Sequence, residues 1–191
     1  MSTALWVPPT LDDIVGNYQF VNHCKAVLAG WKGERISSLL LVGPPGTGKS
    51  TGQISFFRQL LKDPTLGYGE DAGLLSWMTI SDRRYAFMRI DGDDISRPCL
   101  QGLTQTAKWS SADHVFVLID EAGVLYDRGL HEDIRTLLTH PDVSVWANAQ
   151  DFGRKGEKPT DQAKRERQAF LRRFDVDFET QLPKLADLVK H

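Results

Sequence analysis

Cysteine is nearly absent: Cys24 and Cys99 are the only two in 191 residues. Two thiols cannot staple a small secreted fold. Neither has a C-x-x-C neighbour or a Cys/His spacing suited to a metal, so both read as free thiols in a reducing compartment. Long apolar runs are missing as well. No stretch approaches the roughly 18 residues of a membrane span, and the start, MSTALWVPPTLDD, lacks the basic head and apolar core of a signal peptide. The expectation is a cytoplasmic protein without a membrane partner, in a host cytoplasm if the chain is viral. A basic excess is also missing: 23 Lys and Arg face 25 Asp and Glu, a net charge of -2, so any nucleic-acid contact has to be a local patch. Without repeats or low-complexity tracts, residues 1–191 read as a single domain with one full core.

What is present alternates between strand and helix signals. SSLLLVG, YAFMRID (Tyr85 to Asp91), HVFVLID (His114 to Asp120), VSVWANA (Val143 to Ala149) and, more weakly, DVDF (Asp175 to Phe178) are short runs of the kind buried on both faces of a parallel sheet. Between them lie TGQISFFRQLLK, CLQGLTQTAKW, LHEDIRTLLTH and KRERQAFLRRF, all with helical character. Asp12 and Asp13 precede a further periodic stretch from Val21 to Trp31, as helix caps do. Five strands separated by helices predict an α/β fold with a five-stranded parallel sheet covered on both faces. Residues 63–82 fit neither pattern and are expected to form a Gly-rich insertion or long loop.

Directly after the first strand comes GPPGTGKS, Gly43 to Ser50, which matches G-x-x-x-x-G-K-[ST] and runs into a helix. Glycines at 46 and 48 let backbone N–H groups converge on phosphates at the positive end of that helix. Lys49 supplies a point charge to the β- and γ-phosphates, the Ser50 hydroxyl suits Mg²⁺, and Thr51 reaches toward the α-phosphate. The predicted nucleotide-binding set is therefore Gly43, Pro44, Pro45, Gly46, Thr47, Gly48, Lys49, Ser50 and Thr51. A second constellation ends HVFVLIDEAG, where Asp120 and Glu121 stand at the ligand-binding edge of a parallel sheet. Asp120 is suited to the Mg²⁺ shell and Glu121 to orienting and deprotonating an attacking water. No N-K-x-D guanine signal occurs, which favours ATP over GTP.

With both motifs in place the chain resembles the AAA+ ATPases, in particular their clamp-loader (replication factor C small subunit-like) and helicase-loader branch. That resemblance implies a P-loop NTPase core of three α/β/α layers; the C-terminal helical lid that most members carry is not expected in residues 1–191. It implies that WVPPTLDDIVGN encloses adenine near Ile14, Val15 and Gly16, although Val7 replaces the arginine usual before the proline. It implies that Asn148 is the polar sensor beside the γ-phosphate. It also implies that Arg173, or else Arg172, enters the ATP site of an adjacent subunit as an arginine finger. The local alternative for that pair is neutralisation of a helix C-terminus.

Two functional classes follow. The first is an oligomeric, Mg²⁺-dependent ATPase acting as a loader in DNA replication or repair, with DNA or replication proteins as partners. The second is an ATP-dependent switch or MoxR-like assembly factor that works on proteins without nucleic acid. From Arg154 to Arg173, eight basic residues stand against three acidic ones, as a phosphate-contacting patch, a subunit interface or a solvated helix face would.

Overall fold

The computed structural model describes residues 8, 10–66, 75–109, 111–130, 132–150 and 161–182. Among these, the strands are β1 (Leu39–Val42), β2 (Leu75–Ile80), β3 (Arg83–Ile90), β4 (His114–Ile119), β5 (Val143–Ala149) and β6 (Val176–Glu179). They form one six-stranded sheet in the order β2-β3-β4-β5-β1-β6. The five predicted strands are all there and mutually parallel; the sixth, β2, pairs antiparallel with β3 at one edge. The expectation of a loop over 63–82 is thus corrected for its final third. Residues 67–74 of that stretch lie outside the described residues. The hairpin turns on Ser81 and Asp82, both left-handed at φ 50 and 65°. Two successive positive φ angles give the turn whose twist matches paired strands.

The helices are α1 (Tyr18–Gly30), α2 (Lys49–Leu61), α3 (Arg97–Trp109), α4 (Gly123–Asp127), α5 (Asp133–Leu138) and α6 (Asp161–Leu171). Asp12 and Asp13 do not cap α1. They belong to a separate 3₁₀ turn, Leu11–Asp13, where the Asp13 carboxylate accepts from the Thr10 backbone N–H at 3.1 Å and hydroxyl at 2.7 Å. The α1 helix starts later, behind Asn17 at φ 49°.

Side chains alternate across a strand, so each strand feeds two cores. Leu39, Leu41, Phe87, Phe116, Leu118 and Trp146 bury one face together with Phe56 and Phe57 of α2 and Phe20 of α1. Leu40, Ala86, Val117 and Val145 bury the other with Leu103 of α3, Ile134 of α5 and Phe170 of α6. The result is helices on both sides of the sheet, as predicted. Trp146 lies stacked on Phe56 with ring centroids 4.2 Å apart. The same alternation carried to the strand ends puts Arg89, Asp120 and Asn148 on the α2 side of the sheet.

At the opposite end of β4, His114 is buried, with Nε2 2.9 Å from the Ser144 hydroxyl. Burial pushes its imidazole from 6.5 down to about 4. The native state keeps this ring neutral while the unfolded chain takes up a proton near pH 6.5, so stability is full above that pH and falls as pH drops toward 4. The loss is about 3 kcal/mol. Urea titrations between pH 4 and 7 should show a steeper fall for the wild type than for His114→Asn; parallel curves would reject this role.

Candidate active site

The chain leaves β1 into the loop between two neighbours: the Gly43 N–H donates to Ala149 O at 3.1 Å, and the Thr180 N–H to Val42 O at 2.7 Å. A Cβ on Gly43 would lie 2.3 Å from both the carbonyl and hydroxyl oxygens of Thr180, so only glycine fits there. Gly46 and Gly48 hold φ +77 and +81°, the left-handed turns that bring the loop over the start of α2. Lys49 is buried and folds back along the loop, donating from Nζ to Gly43 O at 2.7 Å and Pro44 O at 2.8 Å. Desolvation lowers its pKa, while Glu121 and Asp120 pull it back up. A buried ammonium on two neutral carbonyls is well placed to gain from an anion in the loop.

The residues expected near adenine lie beside this loop. Ile14 and Val15 are half-buried and Gly16 is buried. A Cβ on Gly52 of α2 would meet Phe20 at 2.8 Å and Ile14 at 3.6 Å, which measures how closely the N-terminal segment packs on the helix behind the loop. Asn17 donates from Nδ2 to Thr47 O at 2.7 Å and accepts at Oδ1 from the Gln181 N–H at 3.1 Å. The Thr47 hydroxyl is 2.9 Å from that of Thr180. Beside Asn17 opens a cleft of about 270 Å³, flanked by Phe20, Phe178 and Gln181.

Asn148 is the hub of the second half. Its Nδ2 lies 2.5 Å from Asp120 Oδ1, 3.1 Å from Gln53 Oε1 and 3.2 Å from Ser50 Oγ. Its Oδ1 accepts from the Glu121 N–H at 3.2 Å, and its main-chain oxygen accepts from Ala122 N–H at 2.6 Å. Those two bonds grip the turn after β4, where Glu121 sits at φ +54°. A left-handed non-glycine residue costs of order 1 kcal/mol and persists where its surroundings hold it. The Glu121 carboxylate accepts from Gln150 Nε2 at 2.7 Å. Behind the turn, a Cβ on Gly92 would come within 2.9 Å of the Asp120 and Glu121 carbonyl oxygens.

Ser50 and Asp120, the two residues assigned to Mg²⁺, are therefore brought together by one amide. A hydroxyl and a carboxylate are hard oxygen donors of the kind Mg²⁺ takes alongside phosphate and water. The donor set fits the ion. Among the described residues no cluster of three or more His, Cys, Asp or Glu gathers, so nucleotide and water would have to complete the shell.

Arg172 and Arg173 lie elsewhere. They follow α6 and precede β6, whose Val176 pairs with Leu39 at the entry of β1. The glycine-rich loop at 43–48 leaves the exit of β1, so at about 3.3 Å per residue the whole strand separates the pair from that loop. Arg172 is exposed; Arg173 donates from Nη2 to Glu132 Oε1 and Phe174 is buried. Of the basic stretch 154–173, only 161–173 fall within the described residues.

Several residues around the site had not been singled out from sequence: Arg89, Gln53, Gln150, Asn17 and Thr180. Arg89 alone left a signal, a charge at the end of the otherwise apolar YAFM run. The others are ordinary polar residues whose partners come from distant segments.

No protein-family model matches the chain. A replication factor C small subunit of Thermofilum pendens is 30% identical over 132 residues, which is 64% of this chain and 34% of that protein. One from Sulfurisphaera tokodaii is 25% identical over 184 residues, 96% of this chain and 50% of that protein. Replication factor C subunit 5 of Homo sapiens is 27% identical over 118 residues, 62% of this chain and 30% of that protein. The chain thus spans 30 to 50% of the length of these relatives. Among solved structures, C. elegans PCH-2 matches 91% of this chain and 46% of its own with a TM-score of 0.53 at 17% identity, a likeness of fold.

Proposed function

We propose, for a chain that has an AAA+ type fold and resembles the clamp-loader branch of the AAA+ ATPases, that it binds ATP with Mg²⁺ at residues 43–51 and hydrolyses it. The observation that carries this reading is the reach of Asn148, whose single amide joins the loop hydroxyl of Ser50 to Asp120 while its carbonyl fixes the backbone of Glu121. An inert Gly/Pro turn would explain the glycines but not a buried lysine and a glutamate held in a left-handed backbone beside it.

In this reading Lys49 exchanges its two carbonyl partners for phosphate oxygens. Glu121, held by Asn148 and Gln150, orients a water and takes its proton, and Asn148 reports on the γ-phosphate from its place between them. Mg²⁺ would supply the positive charge that offsets charge on the β- and γ-phosphates, held through Ser50 and Asp120. Arg172 or Arg173 acts on a neighbour's nucleotide, since β1 stands between the pair and the loop of its own chain. The cleft beside Asn17, lined by Phe20, Phe178 and Gln181, takes the base, with Ile14, Val15 and Gly16 in the chain just before Asn17.

The relatives named replication factor C subunits support an oligomeric loader-like role in DNA replication or repair. ATP turnover measured with and without primed DNA tests it. The expected result is stimulation that disappears at high salt, as phosphate contacts do. Turnover indifferent to DNA at low salt would reject the loader role and favour a nucleotide-driven switch acting on protein partners.

A further inference from the structure

The site contains a cation that the ATPase reading leaves without a task. Along the α2 side of β3, Tyr85 and Phe87 are buried apolar residues, and the next position on that side is Arg89. Its guanidinium does not turn out to solvent. Nε and Nη2 both donate to Oδ2 of Asp120, at 2.9 and 2.5 Å, while Oδ1 of the same carboxylate accepts from Asn148. The Asp120 side chain is 9% exposed and that of Arg89 25%. Both oxygens are therefore held by donors, and the negative charge that should attract a metal already has a positive charge in contact. At such short range in a shielded place, an arginine opposes the arrival of another cation strongly.

We propose that Arg89 is the resident counter-ion of Asp120 and sets the Mg²⁺ concentration at which the site takes up nucleotide with its metal. The proposal rests on the ATPase reading. Arg89 acts through Asp120 and is a positioning residue, touching neither nucleotide nor the water. Its guanidinium fixes the orientation of the carboxylate and lowers its pull on a divalent ion. The nucleotide-free protein is thereby spared a buried, unmatched charge. With Arg89 in place, Mg²⁺ has to compete for Asp120.

The full chain is titrated with Mg²⁺ in the presence of a fluorescent ADP analogue, for wild type, Arg89→Met, which keeps the apolar stem, and Arg89→Lys, which keeps the charge. The Mg²⁺ concentration giving half of the binding change should fall about tenfold or more in R89M and stay within about twofold of wild type in R89K. In Mg²⁺-free buffer R89M should melt below wild type, and Mg²⁺ with ADP should raise its melting temperature by more than it raises that of wild type. Arg89→Gln serves as the neutral variant, by the same criteria, if R89M does not fold. An unchanged or higher Mg²⁺ requirement in the neutral variant overturns the assignment, as does R89K shifting like R89M. If wild type binds no nucleotide at any Mg²⁺ concentration, the ATPase reading falls and this proposal with it. If wild type binds and the neutral variant is unshifted, only the role of Arg89 falls.

Discussion

Alanine at both Arg172 and Arg173 should lower ATP turnover of the assembled protein by about 10³–10⁵-fold. The reasoning is topological before it is chemical. The pair stands at the entry edge of β6, next to the entry of β1, whereas the phosphate loop springs from the exit of β1. A guanidinium on that edge is poorly placed for its own nucleotide and better placed for one held by a neighbour, where it would stabilise charge on the transferring phosphoryl group. Turnover should therefore rise with protein concentration. Mixing the double variant, which keeps an intact loop, with Glu121→Gln subunits, which keep the arginines, should restore part of the rate. The single variants divide the labour, because Arg173 has to leave Glu132 before acting elsewhere and Arg172 is exposed already. A double variant with wild-type turnover, or a dilute monomer as active as the concentrated protein, would end the trans-acting interpretation.

Glu121→Gln alone should reduce turnover by about 10²–10⁴-fold and leave nucleotide binding intact. Glutamine has the same shape, so the left-handed turn at φ +54° and its grip by Asn148 should survive. What is lost is a group able to take a proton. Single-turnover hydrolysis together with equilibrium binding of labelled ATP separates the two effects. Most of the hydrolysis rate persisting in E121Q would mean that the base is another residue. A parallel loss of binding would mean that Glu121 shapes the site and does not serve its chemistry.

The glycine-rich 43–50 loop and the acidic pair stand out in the sequence because each is a contiguous motif. The sheet was legible because the apolar runs at β1, β3, β4 and β5 are nearly unbroken. The β2 strand was not, since its turn is Ser81-Asp82 and lacks the glycine or asparagine that usually marks two successive positive φ angles. Arg89, Gln53 and Gln150 escaped for a different reason. Which residues meet at a sheet edge depends on strand order, and nothing local in YAFMRID says that Arg89 will face the strand ending in Asp120. Asn148 could be placed only by likeness to known ATPases. Its reach to Ser50, Gln53 and Asp120 depends on β5 lying between β4 and β1.

The small strut made by Asn17 has a mechanical meaning. One side chain bonds the phosphate loop at Thr47 and the exit of β6 at Gln181, so the loop cannot shift without straining or breaking a link to the segment that follows the sheet. Linkage makes the coupling symmetric. If the loop takes nucleotide as proposed and filling it loosens or tightens that link, a partner bound at residue 181 and the nucleotide change each other's affinity by one common factor. An Asn17→Ala chain would retain both ends of the lever and lose its fulcrum.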